Sequence, residues 1–189
     1  MMAEELHAQL AEKLEAIGPA VAIALEFKVD SYFDVVRGLV DDFAAKKGLS
    51  CVYITASVPA VTLSNALEAL EADTKLVRFV DCVSHSLMSK TGSSDKIAYV
   101  ESPTMLEYIA LKTEYFGRQA EGRKALVILD SMNSLALHND SKMLSEFLTI
   151  LLNSLKAKEA YPVVLSLPDS LRPDAKEILS LVSDTVLSV

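Results

Sequence analysis

Two hydrophobic periodicities alternate along this chain. Leu6, Leu10, Leu14 and Ile17 recur at three- and four-residue intervals, with Glu4, Glu5, Glu12, Lys13 and Glu15 between them and Gly18 after them. That pattern predicts an amphipathic helix closed by a glycine. Residues 20–27 are short and almost wholly apolar, as a buried strand would be. Phe33, Val36, Val40 and Phe43 then return to helical spacing, with Asp30 or Ser31 as cap and Gly48 as stop. A strand follows at 51–55, then a helix with Leu63, Ala66, Leu67 and Leu70 on its inner face, and a strand at 76–82. Residues 84–96 are polar, hold Gly92 and several serines, and read as a surface loop.

The second half repeats the alternation. Residues 97–100 predict a short strand, and Ser102-Pro103 a cap and first-turn proline opening a helix that ends near Phe116, with Gly117 and Gly122 bracketing its end. Residues 125–130 are apolar and rich in branched side chains, as in a central parallel strand buried on both faces. A short polar loop precedes the cleanest helical stripe of the chain, Leu144, Phe147, Leu148, Leu151, Leu152 and Leu155. A strand at 162–167, a helix at 174–182 and a strand at 185–189 complete the order. Strands alternating with helices at this spacing predict an α/β fold, a three-layer α/β/α sandwich around a mainly parallel sheet. No repeat or linker divides the 189 residues, so one domain is expected, with 1–18 as an N-terminal helix and 20–189 as the core.

Composition narrows the function classes. The chain is 51% apolar with six glycines, which excludes disorder. A net charge of −8 argues against a nucleic-acid partner, whose phosphates need lysines and arginines. The apolar run at 20–25 stops at Glu26, far short of the roughly 20 residues that cross a bilayer, and no targeting signal precedes it. A soluble, cytoplasmic protein with no membrane partner is expected. Cys51 and Cys82 lie in or at the end of apolar segments, as reduced, buried thiols do.

Four segments carry a family resemblance. Ala125-Leu-Val-Ile-Leu-Asp130-Ser131 resembles the Walker B strand of the RecA-like ATPases, which ends in Asp-Ser. Gly48-Leu-Ser-Cys-Val-Tyr-Ile-Thr55 is similar to their second strand, Phe79-Val-Asp81-Cys-Val-Ser84 to the third-strand ending, and Val182-Ser-Asp184-Thr-Val-Leu187 to the closing strand. In this order, over residues 20–189, the chain resembles the KaiC/RadA-like branch of that superfamily. The resemblance implies a RecA-like P-loop NTPase fold.

The departures are as informative. The family's first strand feeds a G-x-x-x-x-G-K-[ST] loop, whose glycines let backbone N–H groups converge on phosphate. Here the corresponding segment is Glu26-Phe27-Lys28-Val29-Asp30-Ser31-Tyr32-Phe33, without a glycine. Two carboxylates stand where a triphosphate would lie, and like charges at close range cost on the order of several kcal/mol in a partly buried site. The acidic residue that orients the attacking water after the second strand of active relatives is also missing from Thr55-Ala56-Ser57-Val58-Pro59. The resemblance therefore implies an ATPase fold with a degenerate Walker A loop, no enzyme activity and no required cofactor. Such a domain would act as an assembly or regulatory module, paired with itself or with an active relative.

Polar residues at strand ends define the candidate sites. Asp130 and Ser131 stand where the family's metal site lies, either as its vestige or as caps of the adjoining loop. Asp81, Ser84 and His85 mark a residual pocket, and Asn133, Pro168 and Asp169 sit at further ends. An alternative function, ATP and Mg²⁺ binding through an atypical loop, would use Lys28 and Ser31 as nucleotide contacts and Asp130 as metal contact. A receiver-like signalling domain, with Asp130 as phosphoacceptor, is a further alternative that lacks the acidic pair and the lysine such domains need. Cys82, His85 and His138 fall short of a zinc ligand set. No G-x-S-x-G elbow or G-x-G-x-x-G turn is present.

Overall fold

The protein is described by a computed structural model over residues 2–87, 94–120 and 122–189. An N-terminal helix α1 (Met2–Ile17) ends at Gly18, whose φ of +82° reverses the chain at no steric cost. Strand β1 (Ile23–Glu26) leads through a single 3-10 turn, Val29–Ser31, into α2 (Tyr32–Arg37), which continues as a π-helical stretch, Gly38–Ala45. There follow β2 (Ser50–Thr55), α3 (Ala60–Ala69), β3 (Val77–Asp81), a one-turn α4 (Ser84–Leu87) and β4 (Ile97–Tyr99). The second half comprises α5 (Leu106–Arg118), β5 (Ala125–Asp130), α6 (Met132–His138), α7 (Ser141–Ala157), β6 (Tyr161–Ser166), α8 (Pro173–Val182) and β7 (Thr185–Ser188).

The seven strands form one sheet in the order β4-β3-β2-β5-β6-β1-β7, and every pairing is parallel. All the carboxyl ends therefore emerge along one edge. Strand residues alternate between two cores, as the two-residue strand period requires. Cys51, Tyr53, Leu126, Ile128, Val163 and Leu165 face the layer of α1, α2, the π-helical stretch and α3. Val52, Ile54, Val127, Leu129 and Val164 face the layer of α5, α6, α7 and α8. The expected three-layer sandwich is thus observed, with β5 at its middle and the six apolar residues of the α7 stripe all buried.

Local differences have local causes. Phe33 does not join the inner face; it is 46% exposed, whereas Val35, Val36, Leu39, Val40, Phe43 and Ala44 are buried. A π-helical turn takes more residues than an α turn, which shifts the phase of the stripe. The helix expected from Ser102-Pro103 begins at Leu106, because the Ser102 carbonyl accepts from Met105 N and closes a separate turn first. The loop expected at 84–96 opens with α4, and residues 88–93 of it, including Gly92, lie outside the described residues. The polar loop before α7 contains α6, which at seven residues is too short to give a periodic signal.

One close approach fixes α1. Gly38 packs against His7, so that a Cβ at position 38 would stand 2.8 Å from His7 Cβ and 3.0 Å from its Cα. His7 Nδ1 lies 2.6 Å from Asp42 Oδ2 on the next turn. Gly38→Ala should lower stability by about 1–3 kcal/mol through overpacking against backbone that cannot move independently. Urea unfolding measures it; a change within 0.5 kcal/mol, roughly the surface-substitution range, would contradict the tight contact.

Candidate functional site

Parity along the strands assembles the site. Thr55 pairs with Asp130 on one side and Asp81 on the other, so both carboxylates stand at the end of β2's neighbours. Tyr53 lies two residues before Thr55 and therefore shares its face, and its ring is fully buried. Its hydroxyl donates to Asp130 Oδ2 at 2.8 Å. The hydroxyl of Tyr32, the first residue of α2, donates to the same oxygen at 2.5 Å. The two phenol oxygens are 3.5 Å apart, and Phe27 and Phe33 flank the Tyr32 ring at centroid distances of 6.1 and 5.1 Å.

Asp130 is 2% exposed. Burial raises its pKa above the ordinary 3.8, partly offset by hydrogen bonds from Tyr32, Tyr53 and Ser57. The two phenols respond in the same sense: burial, then the neighbouring carboxylate, pushes Tyr32 and Tyr53 above their ordinary 10.0. They are donors throughout the physiological range. The arrangement can hold a carboxylate firmly, and its phenols are poor proton carriers near neutral pH.

The other expected site residues are placed as follows. Lys28 is exposed and forms no side-chain hydrogen bond or ion pair among the described residues, and Ser31 is half-buried with its N–H bonded to the Lys28 carbonyl at 2.9 Å. Ser131 caps α6, its hydroxyl accepting from Ser134 N at 3.4 Å. Asp81 is fully buried, and both its oxygens are occupied. Oδ1 accepts from Val83 N and Ser84 N, each at 2.8 Å, while Oδ2 accepts from Ala60 N at 2.8 Å and Ser84 Oγ at 2.7 Å. Asp81 and Ser84 thus tie β3 to the start of α3, and His85 stands exposed beside them. Asn133 binds both the N–H and the carbonyl of Leu167, each at 2.9 Å, joining α6 to the end of β6. Pro168 and Asp169 form the 3-10 turn that follows. His138 is exposed at the end of α6, and among the described residues no three His, Cys, Asp or Glu side chains converge as a metal site. Burial pushes the Cys51 and Cys82 thiols up to about 12, so neither is a thiolate at neutral pH.

Tyr32 and Tyr53 are the residues that sequence reasoning missed. The signal was available: a tyrosine inside a fully buried strand needs a partner for its hydroxyl, and parity puts Tyr53 on the face that carries Asp130.

Comparison with solved structures decides the fold. The chain superimposes on KaiC-like protein PH0186 from the hyperthermophilic archaeon Pyrococcus horikoshii OT3 with a TM-score of 0.61 and 15% identity, covering 90% of this chain and 72% of that one. This is the RecA/KaiC-like fold. A second structure with it, flagellar accessory protein FlaH from Methanocaldococcus jannaschii, superimposes with a TM-score of 0.53 and 14% identity over 90% of this chain and 71% of the other. No protein-family profile and no curated protein matches the sequence. Within the KaiC-like fold, Tyr32 belongs to the segment that follows the first strand, and Asp130 ends the strand that resembles Walker B.

The raised pKa of Asp130 makes a signed prediction. Because the folded value lies above the unfolded 3.8, the contribution of Asp130 to stability is fully present below pH 3.8 and is lost as pH rises through the folded value. The stability of the wild type minus that of Asp130→Asn, which cannot ionise, should therefore fall as pH is raised from below about 4 towards 7. Urea unfolding of both proteins across that range checks it, and a difference that stays level or grows would contradict the assignment.

Proposed function

We propose that this chain is a pseudo-ATPase, a non-catalytic KaiC-like domain that serves as an assembly or regulatory module through protein contacts with itself or with an active relative. The observation that carries this reading is the Tyr32 hydroxyl on Asp130. A Mg²⁺ ion wants carboxylate oxygen, phosphate oxygen and water in near-octahedral array. Here the carboxylate is 2% exposed, and one of its oxygens already accepts two phenol protons.

The phosphate side fits no better. A phosphate loop offers several free backbone N–H groups to one anion, whereas Ser31 N–H is spent on the Lys28 carbonyl, and Val29 and Phe33 project from the same segment at 69% and 46% exposure. The residues present do not fit Mg-ATP. Among the described residues no helix is long and apolar enough to cross a membrane. Two buried free thiols suit a reducing compartment, which supports a place in the cytoplasm.

Isothermal calorimetry of the whole chain with ATP and Mg²⁺ tests the reading. No binding heat is expected with nucleotide in the micromolar range. Micromolar, magnesium-dependent binding would overturn it, and loss of that binding in Lys28→Ala would assign the site to an atypical loop.

A further inference from the structure

The layer opposite the Asp130 site carries an unfilled groove. Between helices α5 and α7, beside the small side chain of Ala110, lie two neighbouring hollows of about 210 and 330 Å³. The two share Glu107, Ala110 and Ile150 as walls; Phe147 floors the first and Leu151 the second. Large apolar side chains stand open here: Met143 is 51%, Leu111 58% and Ile150 69% exposed. Tyr108, Leu111 and Tyr115, each more than half exposed, continue the apolar surface along α5 at helical spacing.

Charge selects the occupant. Three carboxylates and one amine line the hollows. Glu114 is matched by Lys158 at 3.6 Å and by Arg118 at 2.8 Å. Glu107 and Glu146, both exposed, have no ion-pair partner among the described residues and stand together at the end of the groove where both helices begin. A second copy laid face to face with its groove parallel would set these carboxylates against each other, and an antiparallel copy would bring them to Lys158, which Glu114 already engages at 3.6 Å. The chain's own acidic helix α1 is also unsuited, since its Leu10 and Leu14 are buried in its own core.

We propose that the α5/α7 groove docks an amphipathic helix of a different protein, with apolar side chains three or four positions apart filling the two hollows and lysine or arginine reaching Glu107 and Glu146. Side chains at that spacing stand about 5–6 Å apart on one helix face, and helix-in-groove recognition works through such anchors. The proposal rests on the reading of this domain as an interaction module and gives that module a surface.

A fluorescein-labelled 14-residue peptide of leucine and lysine, with its leucines at helical spacing, is the probe, followed by anisotropy at about 0.15 M salt. A counterpart with glutamate in place of lysine is the control. Saturable binding of the lysine peptide alone is expected. It should weaken at least about tenfold in Glu107→Lys/Glu146→Lys and in Ile150→Asp, and change less than about twofold in Glu12→Lys/Glu177→Lys, which alters the net charge equally on exposed sites elsewhere. Circular dichroism confirms that each variant is folded. Equal loss in the remote variant, equal binding of the glutamate peptide, absence of binding, or a dimer in sedimentation that Ile150→Asp dissolves would each overturn the proposal. Titrating ATP and Mg²⁺ into the same sample separates the two readings. Peptide binding beside ATP binding keeps the groove and removes the pseudo-ATPase, whereas neither binding removes the groove alone.

Discussion

A carboxylate buried at the end of the central strand is the constraint around which this molecule is arranged. Removing an ionised group from water costs several kcal/mol unless donors replace the lost hydration, and hydrogen bonds to a charged group each return on the order of 1.5–3 kcal/mol. Asp130 is met by Tyr53 from β2, by Tyr32 from the start of α2 and by Ser57 from the loop after β2. All three donors lie far from Asp130 in the chain, so satisfying one group draws three segments together. The path taken by residues 27–33 follows from this demand, since Tyr32 reaches Asp130 only if the turn before it folds back over the sheet edge.

The same logic recurs along the rest of that edge. Asp81 takes four donors and Asn133 clasps both backbone groups of Leu167, while the Thr55 hydroxyl donates to the Val58 carbonyl at 2.5 Å. Open parallel sheets usually leave polar groups at this edge free for a ligand. Here most of them bind one another. Ser166 is an exception, its hydroxyl fully buried and without a hydrogen-bond partner among the described residues.

The sequence made the order of elements legible because buried parallel strands such as 125–130 and long stripes such as 144–155 leave unambiguous patterns. It was less explicit wherever the local period changed. Phe33 turned outward because a π-helical stretch follows it, and α6 is too brief for any periodicity to register. The start of α5 moved because Ser102 spends its carbonyl on a preceding turn. The identity of Asp130 as a strand-end acid was readable from Leu129-Asp130-Ser131. The phenols that hold it were not, since that needed the face of β2 as well as its extent, and Tyr32 meets Asp130 only through tertiary folding across nearly a hundred residues.

The sheet itself imposes a division of labour. Tyr53 and Asp130 point into one helical layer, and α5 and α7 pack on the other, so the phenol cluster and the acidic groove are screened from each other by a continuous wall of hydrogen-bonded backbone. A visitor on one side has no line of sight to the other, and mutations on either side can be made without trespassing on its neighbour.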